Sequence, residues 1–507
     1  MTPLIFMLPE TLYPILDCIR YDTKSLHSCM FVNRTWCRLT APFLWRAPFK
    51  ERRSSLVSTY VKCLGSGAKG KLKLFNNFPQ EALENPTFDY MYYLHELHYP
   101  TLYDSVKSWC EEQYLNDYIG DDFVLYPATT ILDLLIVRFM SKARHLTNLL
   151  IPSVSHRKGD YVCLSKLAPV ARKCLPRIRY FNCDNCIPEN LSIASEFCTN
   201  LVRLDIDCSW ENDRDVSKFI KSQKNLRQLT VTKKWPCLND AINFDNLSQS
   251  LRCIVLKDNC HKNNGGPLSV FMLFQNLEIL RFDNWLSFPE HDVESLVSCY
   301  FPKLRKLSFI RCKPKPDMII SMILVNGSTL QELTLTWDTS QLDQFSVIWA
   351  IASNCPNLKY LDVPITGKDA SELSFVLKSC KELENLTINH AIDDVDYDVD
   401  HCLPLMGVMI PEHLYQLNIF APWKFTPESL RGFLMTNCKN HLKCLGFYKN
   451  FTNDHLKVIM EYANEMNSLS YLELRWCETV SHEEIINAKK SINVIAVYNF
   501  AGRKVNI

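Results

Sequence analysis

The sequence predicts an α/β solenoid of parallel strands on a concave side and helices on a convex side, preceded by a separate three-helix module. Three observations predict it. An apolar–x–x–apolar–x–apolar phrase returns roughly every 25 to 28 residues from about residue 175 to the C-terminus. A helical apolar pattern follows each phrase by about ten residues. Residues 7–46 follow neither pattern.

The phrase runs through Leu201, Leu204 and Ile206, then Leu226, Leu229 and Val231, then Leu251, Ile254 and Leu256. It continues from Leu277, Leu304, Leu330, Leu358, Leu383, Leu414, Leu442 and Leu469. Its period-2 alternation turns the apolar residues to one face of a short strand. The helical halves include Val293–Val297, Ile319–Ile323, Val347–Ile351 and Leu456–Tyr462. Polar turns such as Asn354-Cys355-Pro356-Asn357 stop the helix and return the chain to the next strand. Eight residues after the first leucine comes Cys183, Asn259, Cys312, Asn450 or Cys477. A side chain in that slot can bond the backbone where it leaves the strand. Phrase and slot together resemble the leucine-rich repeat. Weaker copies at Leu94 and Leu146 predict degenerate repeats over 91–174, and the phrase at Ile492 reads as a terminal cap. The expected organisation is therefore a module at 1–50, a linker and helical connection at 51–90, degenerate repeats at 91–174 and the solenoid at 175–507.

In the first module, Pro9 suits a helix start and Asp22 or Thr23 can cap a second helix. Leu26, Cys29, Val32 and Trp36 recur at three and four along that helix. Pro14 falls inside the first helix, where it should kink or delay it. So short a segment cannot bury all its apolar residues alone. The residues Leu8-Pro9-Glu10, Ile15-Leu16, Asp22, Leu26, Val32-Asn33-Arg34-Thr35-Trp36 and Leu44-Trp45 resemble the F-box. The whole chain thus resembles an F-box/leucine-rich-repeat protein of the kind multiplied in some fungi. That resemblance implies a substrate receptor of a cullin–RING ubiquitin ligase. The F-box would hold the Skp-type adaptor and the repeats would capture a protein substrate. The alternative it leaves open is an adaptor-bound scaffold that does not ubiquitinate its partner. Carried over residue by residue, the adaptor contacts would be Leu8, Pro9, Leu12, Ile15, Leu16, Leu26, Val32, Trp36, Leu44 and Trp45.

Side chains between and after the inward leucines should face solvent on the strand side. Exposed aromatics beside arginines have the composition of binding hot spots. Trp337, Tyr448, Arg475 and Trp476, with Arg281 and Arg311, are the candidate substrate contacts. No cofactor and no metal are expected. The pair Cys183 and Cys186 has no partner pair at zinc-ribbon distance, and the aspartates from Asp393 to Asp400 lack the glycine and closing glutamate of a calcium loop. The 22 cysteines read as free, buried thiols of a cytoplasmic or nuclear protein, because several fill repeat slots. A net charge of +1 gives no reason to invoke nucleic acid or an anionic membrane. The basic residues at 50–53 and Lys69, Lys71 and Lys73 read as a solvated linker around Gly65-Ser66-Gly67. Ile131–Met140, interrupted by Asp133 and Arg138, is too short to span a bilayer. No GxSxG, HExxH or P-loop motif is present, so a non-enzymatic protein is expected.

Overall fold

The computed structural model describes residues 9–75, 78–114, 121–151, 168–183, 188–209, 212–236, 245–259, 268–286, 288–337, 344–389, 396–436, 442–499 and 503–505. The chain divides into two compact units, Met1–Leu229 and Thr230–Ile507.

The first unit opens with α1 (Pro9–Cys18), α2 (Thr23–Cys29) and α3 (Arg34–Leu44). Asp22 caps α2, accepting from the Lys24 and Ser25 amides at 3.1 Å each. Asn33 caps α3 through the Trp36 amide at 3.0 Å. The apolar spacing suggests one helix through Val32 and Trp36; the structure divides it. Asn33 is extended, with φ −167° and ψ 177°, and its carboxamide starts a new helix there. Pro14 sits inside α1 without delaying its start.

Helices α4 (Ser55–Lys62) and α5 (Ser66–Leu72) follow. The expected solvated linker around Gly65 is therefore a helix. Lys69 on α5 is buried, its Nζ donating to the Glu84 carbonyl at 3.0 Å and to Asn85 Oδ1 at 3.2 Å. Such a lysine is spent on its own fold. Next come β1 (Glu96–His98), α6 (Tyr99–Tyr114), α7 (Asp121–Lys142) and β2 (Asn148–Ile151). The unit continues with α8 (Ala168–Cys174), β3 (Tyr180–Cys183), α9 (Pro188–Phe197), β4 (Arg203–Cys208) and α10 (Asp213–Lys221). Strands β1 to β4 pair in parallel, so the weak phrases at Leu94 and Leu146 do form strands. Ile131, Leu135 and Phe139 of α7 are fully buried, and no helix among the described residues is long and apolar enough to cross a membrane.

Strand β5 (Gln228–Lys233) lies at the division between the units. The second unit then holds α11 (Asp245–Ser250), β6 (Cys253–Asn259), β7 (Ile279–Trp285), α12 (Glu290–Val297), β8 (Lys306–Cys312) and α13 (Pro316–Asn326). It continues with β9 (Glu332–Trp337), α14 (Gln344–Asn354), β10 (Tyr360–Pro364), α15 (Leu373–Ser379) and β11 (Asn385–Asn389). After these come β12 (Tyr397–Asp398), α16 (Leu403–Gly407), β13 (Gln416–Phe420), β14 (Trp423–Lys424), α17 (Pro427–Met435) and β15 (Cys444–Tyr448). The last elements are α18 (Asn453–Met466), β16 (Tyr471–Arg475), α19 (His482–Ala488), β17 (Val494–Tyr498) and β18 (Lys504–Val505). From β6 to β17 the repeat strands pair in parallel, and β18 adds an antiparallel edge. The second leucine of each phrase keeps one register: Leu280, Leu307, Leu333, Leu361, Leu386, Leu417, Leu445 and Leu472. All are at most 2% exposed, and burying each stabilises the array by about 1.5–3 kcal/mol. This is the leucine-rich-repeat α/β fold.

Neighbouring repeats are also locked through buried polar side chains. Gln223 Nε2 donates to the Cys198 carbonyl at 2.6 Å, Asn326 Nδ2 to the Cys299 carbonyl at 3.1 Å, and Cys380 Sγ to the Cys355 carbonyl at 3.3 Å. In each case the side chain at the helix-to-strand turn bonds the corresponding turn one repeat earlier. Burial pushes the Cys355 and Cys380 thiols up to about 12, which leaves them unreactive. Cys183 departs from the expected free thiols: it is disulfide-bonded.

The aspartate run is tied down where it is described. Asp396 accepts from Asn450 Nδ2 at 3.0 Å and pairs with Lys424 and Lys449 at 3.2 and 3.5 Å. Tyr397–Asp398 pairs with Trp423–Lys424 as a second small sheet, and Asp400 accepts from the Thr426 amide at 2.6 Å. Asp393 and Asp394 lie outside the described residues.

Candidate functional site

The strand ends set the geometry. Seven residues after the first leucine, Lys233, Asp258, Asn284, Arg311, Lys449 and Trp476 all adopt φ between 50° and 75°. This left-handed residue turns the chain so that the next one enters the interior: Asn259, Trp285 and Cys312 are buried. Asparagine and aspartate tolerate the conformation, whereas for tryptophan it costs about 1–2 kcal/mol. Strain of this kind concentrates at functional sites. Trp476 is fixed by its amide, which donates to the Tyr498 carbonyl at 2.9 Å, and its ring lies 4.9 Å from that of Tyr448.

Around Trp476 lies an open cleft of about 470 Å³, lined by Asn389, Phe420, Tyr448, Glu473, Arg475, Trp476 and Tyr498. Most of these are strand-end residues: Asn389 pairs with Phe420, Tyr448 with Arg475, and Arg475 with Tyr498. The Arg475 guanidinium sits 3.6 Å from the Phe420 ring centroid, and its Nε donates to Glu473 Oε1 at 2.6 Å. A stacked, ion-paired guanidinium keeps its outer edge available while its position is held. Tyr471 donates to the other Glu473 oxygen at 3.3 Å. Burial first, and then the Glu473 charge, pushes the Tyr471 phenol up to about 12.

Gly446 makes this stacking possible. A Cβ there would stand 2.6 Å from Asn418 Oδ1 and 2.8 Å from Phe420 Cε1, so only glycine leaves room for the ring. On β10, Asp362 accepts a hydrogen bond from Asn389 Nδ2. Burial pushes its carboxyl up to about 7, against the opposing pull of Asn389 and Arg475. The cleft therefore has a carboxyl close to neutrality behind Asn389, an ion pair in its floor and aromatic walls. Its lining offers aromatic contact and hydrogen-bonding groups, and contains no nucleophile–base pair.

Of the candidate substrate contacts, Tyr448, Arg475 and Trp476 come together here. Tyr448 needs correcting: it is 6% exposed, covered by the Trp476 ring rather than open. Arg281 and Arg311 belong elsewhere. They lie on β7 and β8, and β8 is five strand steps from β15, about 24 Å at the usual spacing. Both bind Asp283, at 2.6 and 2.7 Å. Burial would raise the Asp283 carboxyl, but these two hydrogen bonds outweigh it and hold it below its ordinary value. Trp337 ends β9; its side chain lies outside what is described. Asn389, Glu473, Tyr498, Asp362 and Gly446 were not anticipated. Glu473 was within reach, since alternation places residues 471, 473 and 475 on one face.

The adaptor candidates divide three ways. Leu12, Leu16 and Leu26 are buried at 2% or less, so they hold α1–α3 together and are not open to a partner. Trp45 also faces inward, its ring 4.1 Å from Tyr90 and 5.6 Å from Tyr60. Trp36 and Leu44 are half-buried. Pro9, Ile15 and Val32 are exposed, and Leu8 lies outside the described residues. Tyr13, Tyr21 and Phe31 are exposed beside them in the sequence, although none belonged to the expected set. Among the described residues no cluster of three His, Cys, Asp or Glu could hold a metal.

No protein-family model matches the chain, and no curated protein matches it. Among solved structures it is similar to a chain in the crystal structure of the Rad7–Elc1 complex of yeast. That match has 14% identity and a TM-score of 0.36, covering 78% of this chain and 88% of that one. It is also similar to the leucine-rich repeat-containing protein LegL7 of Legionella pneumophila. There the identity is 13% and the TM-score 0.34, covering 64% of this chain and 92% of that one.

Proposed function

We propose that this chain is a non-enzymatic substrate receptor of a cullin–RING ubiquitin ligase, its N-terminal module holding a Skp-type adaptor and its C-terminal strand-end cleft holding a protein substrate. The observation that carries the reading is the apolar surface of residues 9–32. Tyr13, Ile15, Phe31 and Val32 are 49–76% exposed on a module of three short helices. Isolated apolar residues on a surface need no explanation, but several on one short segment mark a partner. Ile15 and Val32 also belong to the residues that resemble the F-box, and that resemblance implies a Skp-type adaptor as the partner. The mechanism is proximity: a held substrate presents its lysines to the charged conjugating enzyme at high effective concentration. Cytoplasmic or nuclear residence belongs to this reading.

The test is co-expression of the full chain with a Skp-type adaptor, scoring adaptor and cullin after purification. Wild type should retain both, and Ile15→Asp combined with Val32→Asp should lose both while its melting temperature holds. Arg475→Ala with Trp476→Ala should keep the adaptor and lose the substrate, by about 2 kcal/mol if Trp476 is a hot spot. A soluble, monodisperse wild-type chain with no affinity for the adaptor would sink the proposal. An adaptor-bound chain whose partner decays no faster than in the Ile15/Val32 variant is instead a scaffold.

A further inference from the structure

Four successive helices of the second unit share an outer surface that is mostly apolar. Helices α13, α14, α15 and α16 pack side by side in chain order. Their sequences contain just two charged residues, Asp317 and Lys378. The helices packed on either side, α12 and α17, carry more charge for their length, with Glu428 and Arg431 among the nine residues of α17. Helix α12 carries Glu290, Asp292 and Glu294. On the solvent face of the four stand Leu324, Phe345, Trp349, Phe375, Leu405 and Val408, each at least 40% exposed. Phe345 and Trp349 are one helical turn apart. The Trp349 and Phe375 rings meet edge to face with centroids 5.4 Å apart, which makes the stripe continuous from α14 to α15.

The stripe opens on the order of 600 Å² of apolar side chain, the upper end of what a monomer leaves exposed. One partner in a standard-size interface contributes about 800 Å². Repeat packing does not explain these side chains, because the buried faces of the same helices already carry Met322, Ile323, Ile348 and Leu377. The two charges on these helices, Asp317 and Lys378, are exposed and opposite in sign, so an identical surface can answer both its apolar side chains and its charges. At its border an open groove of about 740 Å³ carries Lys378, Lys381, Glu382 and Glu412. A rim with both signs pairs with its own copy: across a two-fold axis the lysines of one protomer face the glutamates of the other. A lipid surface would call for a basic rim without those glutamates.

We propose that the outer face of α13–α16 is a homodimer interface, seating a second copy of this chain around a two-fold axis. The proposal stands apart from the adaptor and substrate readings, since it uses none of their residues.

Sedimentation velocity on the purified full chain from about 1 to 100 μM tests it, a range that brackets micromolar association. Wild type should pass from monomer to dimer. Trp349→Arg with Phe375→Glu, and separately Leu405→Arg, should weaken the dimer at least about tenfold with unchanged circular dichroism and melting. Ile15→Asp with Val32→Asp should leave it intact. A wild-type monomer across the range overturns the proposal. So does a dimer that survives both stripe variants, or one lost with the Ile15/Val32 variant. Should the stripe variants unfold, hydrogen exchange of wild type at the two ends of the range decides. Concentration-dependent protection of α13–α16 supports the interface, and none there overturns it.

Discussion

Replacing Asn326 by alanine should open the solenoid locally. The side chain is fully buried and bonds three backbone groups. Its Oδ1 accepts from the Phe301 amide at 2.8 Å, and its Nδ2 donates to the Cys299 and Met322 carbonyls at 3.1 Å each. Alanine strands the Phe301 amide and the Cys299 carbonyl in the turn one repeat earlier. Each stranded group costs about 1–3 kcal/mol, so the expected loss is about 3 kcal/mol. A chain of two units need not unfold in one step, so global melting is a poor measure. Cys299 supplies a local one. It is a fully buried thiol beside the lock, and it can be alkylated only when this region opens. Native-state alkylation resolved by mass spectrometry should show Cys299 labelling accelerate on the order of 100-fold, which is 3 kcal/mol at about 1.4 per decade. Cys198, in the other unit, should label at its wild-type rate. Asn326→Asp, which keeps the acceptor for Phe301, should fall between the two. A change of less than about threefold at Cys299 in the alanine variant would refute the idea that this side chain locks adjacent repeats.

Three further outcomes follow from the cleft and its surroundings. The Asp362 carboxyl is raised to about 7, so the folded chain keeps a proton that the unfolded chain releases near 4. Its contribution to stability should thus fall as pH rises from about 4 to 7 and level off above, by up to about 4 kcal/mol; Asp362→Asn should flatten that part of the profile in denaturant titrations, and an unchanged difference between pH 4.5 and 7.5 would contradict it. Gly446→Ala should cost about 1–3 kcal/mol and displace the Phe420 ring from under Arg475, measured as a lower denaturation midpoint; a neutral alanine would mean the ring has room to spare. Thr452→Val should remove the hydroxyl that meets His455 Nδ1 at 2.8 Å and fray the start of α18, costing about 1 kcal/mol, read from hydrogen exchange in the first turn of that helix.

The repeat was legible because its signal is redundant. A leucine that stays in register from Leu280 to Leu472 recurs every 25 to 31 residues, so one atypical repeat does not hide it. The Asp22 cap was legible for a similar reason, as an aspartate directly before an apolar helical run. Other features depended on competition between local signals. Leu26, Cys29, Val32 and Trp36 keep helical spacing, but Asn33 between them prefers to cap, and its hydrogen bond to the Trp36 amide wins. Gly65 and Gly67 suggested an open linker, whereas Leu72 is fully buried and anchors α5.

In the cleft, alternation showed which face a residue takes but not what lies over it. Tyr448 was expected to be open because it ends a strand, and it is closed because the backbone of Trp476, one repeat later, folds an indole across it. Phe420 is covered in the same way by Arg475, and Asn389 and Tyr498 join only through strand register. At the N-terminus the apolar excess was readable. Which of those residues face inward was not, because Leu12 and Ile15 are both apolar and differ only in which side of α1 the neighbouring helices occupy.

The left-handed residue at the strand ends has a consequence for how such a surface can change. Asp258, Asn284 and Arg311 stand on consecutive strands in nearly one backbone pose, with φ of 53°, 54° and 52°. Their side chains differ in charge, length and hydrogen bonding, yet the leucine ladder beneath them is the same. The scaffold treats this position as a socket: it prescribes a backbone angle that suits asparagine and aspartate best and still admits lysine, arginine and tryptophan. Exchanging residues in these sockets rewrites what the surface recognises while the interior stays constant. A library confined to positions 258, 284, 311, 449 and 476 would therefore sample new partners without sampling new folds.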